Sequence, residues 1–124
     1  MKNCIVVDDN ETNRIVAGEM AQSIGLRVTH EFELAKEAMP YIMSGEVDVV
    51  LLDWHLPEVD GIEFLEDIRT TKQGQKVAVF MYSAVEDQSG VGKVLNSRAD
   101  GYISKPVTFE KLSEKLRESG ITTD

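Results

Sequence analysis

The chain has 124 residues, enough for one domain, and its 42% hydrophobic and 28% charged residues describe a globular protein that can bury a core without staples. Its 13 Lys+Arg stand against 22 Asp+Glu, a formal net charge of −9. That charge argues against direct nucleic-acid binding, which needs a basic face, and against docking on an anionic membrane.

In chain order, Cys4-Ile5-Val6-Val7 is a short apolar run. Thr12 to Ile24 places Val16, Met20 and Ile24 on one helix face, and Gly25 closes it. Leu26-Arg27-Val28-Thr29 alternates like an edge strand. Leu34 to Met43 returns to helix spacing through Ala35, Ala38, Met39 and Ile42, and Val47 to Leu52 is almost wholly apolar. Gly61 to Thr70 is helical, with Ile62, Leu65 and Ile68 inward. Val77 to Met81 is a further apolar strand. Val91, Val94 and Leu95 mark a fourth helix, about Glu86 to Asn96, weakened by Gly90 and Gly92. Gly101-Tyr102-Ile103 is a short strand, and Phe109, Leu112 and Leu116 mark the last helix.

This order, βαβαβαβαβα, predicts an α/β fold in which a doubly wound parallel sheet is covered by helices on both faces. Runs one, three and four are apolar throughout and suit central strands, whereas runs two and five suit edges. The prediction is a flavodoxin-like (βα)5 fold with strand order 2-1-3-4-5, one domain over residues 1–118 and a short tail over 119–124. No apolar run approaches the roughly 20 residues of a membrane span. Met1-Lys2-Asn3 leads straight into a strand without the layout of a secretion signal, and the one cysteine, Cys4, excludes an internal disulfide. The expected compartment is a reducing cytoplasm.

In such a sheet, ligands bind beyond the carboxyl ends of the strands, where the winding reverses between strands one and three. Those ends carry Asp8-Asp9 and Asp53. The fourth strand ends before Tyr82 and Ser83, the fifth before Ser104, Lys105 and Pro106. Three clustered carboxylates repel unless neutralised, and a hard divalent cation such as Mg²⁺ does this while keeping positions open for phosphoryl oxygens. Phosphoryl transfer needs mostly positioning and charge neutralisation. Asp53, a little apart from the pair, suits the attacking carboxylate.

Four motifs lie in order at these strand ends: Val7-Asp8-Asp9-Asn10, Leu52-Asp53-Trp54-His55-Leu56-Pro57 with Asp60-Gly61, Ser83-Ala84, and Gly101-Tyr102-Ile103-Ser104-Lys105-Pro106. With them the chain, from Lys2 to about Glu118, resembles the receiver domains of two-component response regulators, the family that includes the chemotaxis receiver. The resemblance implies that Asp53 is the phosphoacceptor and that Asp9 and Asp53 bind Mg²⁺ directly. Asp8 would help through water, and the backbone carbonyl of His55 would complete the metal's protein ligands. Ser83 and Lys105 would contact phosphoryl oxygens, and Tyr102 would be the aromatic switch that follows Ser83. The Lys105–Pro106 bond is expected to be cis. The donor would be a sensor histidine kinase or a histidine phosphotransfer protein. The output would be a protein partner reading the face made by the fourth helix, fifth strand and last helix, across Val85–Lys93 and Arg98–Ser104. The chain would be a stand-alone receiver or one excised from a longer protein, monomeric or weakly dimeric. It would be no enzyme beyond its own phosphorylation and dephosphorylation.

The residues that line the path of the attacking water in this family are here His55 and Val85, two after the acceptor and two after Ser83. Val85 offers no polar group to orient a water, which points to slow self-hydrolysis. Bland readings exist for most of these residues. Asp8 or Asp9 alone reads equally as a helix cap, and Lys105 alone as a solvated lysine. Asp60 reads as the cap of the third helix, with Glu63 as its capping-box partner. Trp54 reads as a partly buried ring beside the site, His30 as a surface residue at the end of an edge strand, Cys4 as a small hydrophobe, and the methionines as core at helix spacing.

Two other functions use a similar scaffold. A Mg²⁺-dependent phosphatase of the haloacid dehalogenase type also forms an aspartyl phosphate, but it usually has a second acid where this chain has His55. A flavodoxin-type electron carrier would want Ser, Thr and Gly after the first strand, where Asp8-Asp9-Asn10 repels a flavin phosphate.

Overall fold

The structure, a computed structural model, describes residues 2–83 and 98–121. In chain order it contains β1 (Asn3–Val7), α1 (Glu11–Ile24), β2 (Arg27–Phe32), α2 (Ala35–Met43), β3 (Val49–Asp53), α3 (Gly61–Arg69), a 3₁₀ turn (Gly74–Lys76), β4 (Ala78–Ser83), β5 (Gly101–Ser104) and a last helix (Phe109–Glu118). The strands form one parallel sheet in the order β2-β1-β3-β4-β5, the predicted order.

The period-two alternation of the central strands builds a core on each face. Ile5, Val7, Val50, Leu52, Val79 and Met81 pack with Ala38, Ile42, Leu65 and Ile68 of α2 and α3. Cys4, Val6, Leu51, Phe80 and Tyr82 pack with Ala17 and Ala21 of α1 and Leu112 and Leu116 of the last helix. The direction of each side chain at a strand end is therefore set by its parity.

Several expectations need correction. The polar residues His30 and Glu31 belong to β2, which begins at Arg27 and runs to Phe32. An edge strand tolerates charge because one side of its ladder meets water. His30 stacks on Phe32 and meets the Tyr41 ring at a tilt of 43°. The strand β4 continues past Met81 through Tyr82 and Ser83, and β3 includes Asp53, so these residues have fixed strand geometry instead of loop freedom. Pro40 lies inside α2, where packing of Ala38 and Ile42 outweighs its poor helix propensity. Phe109 is exposed, leaving Leu112 and Leu116 to carry the packing of the last helix. Of the methionines, Met81 is a buried strand residue, and Met20, Met39 and Met43 lie half-buried at the core margins. The cap of α1 is Asn10, whose side chain accepts from the Asn13 N–H, so neither Asp8 nor Asp9 serves as that cap. Asp60 caps α3 by accepting from the Ile62 N–H at 2.8 Å. The expected fourth helix and Val85 lie outside the described residues.

Sequence reading also missed the buried guanidinium of Arg69. It donates to the carbonyls of Gly74 at 2.7 Å, Val77 at 2.5 Å and Arg98 at 2.9 and 3.1 Å, and pairs with Asp100 at 3.0 Å. Asp100 in turn accepts from the Val79 N–H at 2.7 Å. One side chain thereby ties the end of α3 to the segments entering β4 and β5.

Candidate functional site

Parallel pairing aligns the carboxyl ends of the strands. Val7 lies beside Leu52 and Asp53 beside Tyr82, so Asp8, Asp53 and Tyr82 form one row across β1, β3 and β4. The ladder continues past β1, where the Asp8 N–H donates to the Phe32 carbonyl at 3.0 Å. It also continues past β3, where the Trp54 N–H donates to the Tyr82 carbonyl at 3.1 Å. The backbone beneath the carboxylates is thus held on both sides.

Asp8, Asp9 and Asp53 each bring an oxygen within 4.8 Å of the others. Asp8 is fully buried and Asp53 is 2% exposed, while Asp9 opens to solvent. Burial, then the neighbouring Asp8, push the Asp53 pKa from 3.8 up to about 6, against the pull of Lys105 and of the His55 N–H. Asp53 Oδ1 accepts from that N–H at 3.3 Å and lies 3.4 Å from the Lys105 Nζ. Lys105 is itself anchored by its N–H, which donates to the Ser83 carbonyl at 2.7 Å. The Lys105–Pro106 peptide bond is cis, as expected.

Asp8 is held at both oxygens. Its Oδ1 accepts from the Asn10 N–H at 2.8 Å, and its Oδ2 accepts from the Tyr82 hydroxyl at 2.8 Å. Burial and Asp8 keep the Tyr82 pKa well above its usual range, so this hydroxyl stays a donor. The Arg14 guanidinium donates to the Asp8 carbonyl at 2.9 Å and reaches Glu31 at 3.6 Å.

The turn after Asp53 closes tightly. His55 bridges Asp60, the Gly61 N–H donates to the Trp54 carbonyl at 2.8 Å, and Gly61 sits against Asp53. A Cβ at Gly61 would lie 2.8 Å from the Trp54 Cα and 2.9 Å from the Asp53 carbonyl oxygen, so only glycine fits. The exposed His55 ring stacks on the buried Trp54 ring at 5.4 Å and 11°.

The donor set fits a hard divalent cation. All three acidic side chains offer oxygens, two of these side chains are buried, and Lys105 is the cation paired with Asp53 among the described residues. The structure brings Asp8, Asp9, Asp53 and Lys105 together. Ser83 is buried on the adjacent strand end, paired in register with Ser104. Tyr102 lies half-buried in β5, beside Met81 and against the α2/α3 core. Sequence reading missed Tyr82 as a site residue. The signal was its parity: two residues after Phe80, it faces the same side as Asp53 once β4 is extended.

Residues 4–117 match the family described as the response regulator receiver domain. The chain is 30% identical over 112 residues to chemotaxis protein CheY-3 of Vibrio cholerae serotype O1, an alignment covering 90% of this chain and 86% of that protein. It is similar to the receiver domain of the sensor histidine kinase PA1611 from Pseudomonas aeruginosa PAO1, solved with a magnesium ion coordinated in its active site cleft. That likeness has a TM-score of 0.82 at 27% identity, over 96% of this chain and 98% of that one. The receiver domain of the Saccharomyces cerevisiae response regulator Ssk1, solved with the histidine phosphotransfer protein Ypd1, gives a TM-score of 0.79 at 25% identity, over 96% and 88% of the chains. Among the described residues no helix is long and apolar enough to cross a membrane. A family match over nearly the whole length, on a sheet of this order with its carboxylates at these strand ends, places the chain among the response regulator receiver domains.

Proposed function

We propose that this receiver domain, spanning residues 1–118, accepts a phosphoryl group on Asp53 from a phosphohistidine in a Mg²⁺-dependent reaction. The observation that carries this reading is the buried Asp53 carboxylate, with Asp8 and Asp9 oxygens within 4.8 Å and the Lys105 ammonium at 3.4 Å. The donor is a histidine kinase or a phosphotransfer protein, a reading supported by the Ypd1 complex of the similar Ssk1 receiver.

The chain's own residues have distinct tasks. Asp53 Oδ1 is engaged by the His55 N–H and Lys105, so Oδ2 attacks phosphorus. The new O–P bond forms as the donor's N–P bond breaks, and the histidine nitrogen leaves with the electron pair and takes up a proton. Asp9, Asp53 and the His55 carbonyl would hold Mg²⁺, with Asp8 acting through water. When bound, the ion offsets carboxylate charge and holds phosphoryl oxygens. Lys105 and Ser83 contact the transferred oxygens, and the partly enclosed position of Asp53 limits competing water. The product adds roughly −1.5 to −2 charges beside Ser83. Ser83 then moves inward, Tyr102 follows, and the face carrying β5 and the last helix presents a changed surface to a protein partner. His55 and Val85 set the lifetime of the product, which we expect to be long. The chain acts as a switch and not as an enzyme on a separate substrate.

The test is intact-mass spectrometry after incubation with acetyl phosphate and Mg²⁺. The native chain should gain the mass of one phosphoryl group, lose it in EDTA-treated reactions, and gain none as Asp53→Asn. A stable adduct on Asp53→Asn, or none on the native chain, refutes the reading.

A further inference from the structure

The row Asp8–Asp53–Tyr82 gives one aromatic residue contact with both charged ends of the site. Tyr82 is fully buried on β4, on the same side of the sheet as its register neighbour Asp53. Its hydroxyl passes the intervening strand β3 and reaches Asp8 Oδ2 at 2.8 Å, a contact between residues 74 apart in the chain. The Lys105 ammonium lies 5.4 Å from the centroid of the Tyr82 ring, within the range of a cation–π contact. We propose that Tyr82 is a positioning residue of the phosphoacceptor site, its hydroxyl fixing the Asp8 carboxylate for the cation and its ring steering the Lys105 ammonium to Asp53.

The geometry supports both halves. A carboxylate with one engaged oxygen can still turn about its terminal torsion, which is broad. Asp8 has both oxygens engaged, Oδ1 by the Asn10 N–H and Oδ2 by Tyr82, so its remaining lone pairs have a set direction. The Asn10 bond is local backbone geometry, whereas the Tyr82 bond is a long-range constraint. A lysine stem is flexible, and the negative face of a buried ring limits where its ammonium rests. Partners that orient a direct ligand change metal affinity by about 10- to 100-fold when removed, and because Asp8 acts through water the effect of Tyr82 falls at the low end of that range.

The inference rests on the Mg²⁺ site proposed above, and its test separates the two. Mg²⁺ is titrated against the fluorescence of Trp54, the only tryptophan in the chain, in the native protein and in Tyr82→Phe, with folding checked by circular dichroism. Tyr82→Phe should bind Mg²⁺ about tenfold more weakly. Its metal-free Asp8 carboxyl ¹³C resonance should be displaced, while the Lys105 side-chain resonances stay in place. Tyr82→Leu should displace the Lys105 resonances as well, because the ring is gone. A folded Tyr82→Phe with native Mg²⁺ affinity and an unmoved Asp8 resonance overturns the Tyr82 role while leaving the Mg²⁺ site standing. A native protein that shows no Mg²⁺ binding overturns the site and this role with it. If Tyr82→Phe does not fold, the Tyr82 hydroxyl proton of the native protein decides. A protected resonance that shifts on Mg²⁺ addition supports the role, and one that ignores Mg²⁺ refutes it.

Discussion

Replacing the acceptor Asp53 with asparagine should make the metal-free protein more stable, because the site is built at a cost to folding. Asp53 is 2% exposed, and burial with the adjacent Asp8 raises its pKa from 3.8 to about 6. An acid whose pKa is raised in the native state binds more protons folded than unfolded between those two values. Stability therefore falls as pH rises from about 4 to about 6, and the whole penalty is present above 6. At 1.36 kcal/mol for each unit, the charged native form is disfavoured by about 3 kcal/mol. Asparagine keeps the shape and removes the charge. With a urea slope of about 1.5 kcal/mol per molar, the unfolding midpoint should rise by about 2 M at pH 7.5 in EDTA. The gap should narrow towards zero as the pH falls to about 4. Mg²⁺ at about 100 times its Kd should stabilise the native chain by about 2.7 kcal/mol and the variant far less, closing the gap from the other side. Urea unfolding followed by circular dichroism measures all three. An asparagine variant less stable than the native chain at pH 7.5 without metal, or a difference unchanged between pH 4 and 7, would refute the electrostatic reasoning.

Three further outcomes are expected. Arg69→Met should destabilise the fold by about 3 kcal/mol, since three carbonyls lose their guanidinium donor and Asp100 its partner. Calorimetry should give a Tm about 10 °C lower, and an unchanged Tm would show that other donors replace it. Gly61→Ala forces a Cβ against the backbone of Trp54 and Asp53, so it should cost about 2 kcal/mol and weaken Mg²⁺ binding, both read in a metal titration of thermal unfolding. Cys4 is fully enclosed and its thiol is pushed up to about 12, so at pH 8 it should react with Ellman's reagent only when urea unfolds the chain. Rapid modification of the native protein would contradict that burial.

The parts of the molecule that were legible in the chain are those set by local physics. Short, wholly apolar runs identified β1, β3 and β4, period-3.6 faces identified α1 to α3 and the last helix, and alternation of the two dictated a parallel doubly wound sheet. From that topology, Asp8, Asp9, Asp53 and Lys105 had to converge, because each directly follows or ends a parallel strand whose neighbour is known. What needed the folded protein is whatever depends on contact across the chain. Whether β2 stops at Thr29 or Phe32 is decided by pairing with β1. Arg69 looks like a helix-end surface residue until carbonyls from Gly74 to Arg98 close around it. Tyr82 looks like the tail of an apolar run until register places it beside Asp53 and its hydroxyl finds Asp8, 74 residues away. Periodicity along the chain reports which face a residue takes, whereas the atom it meets there is fixed only when strands from distant segments are brought side by side.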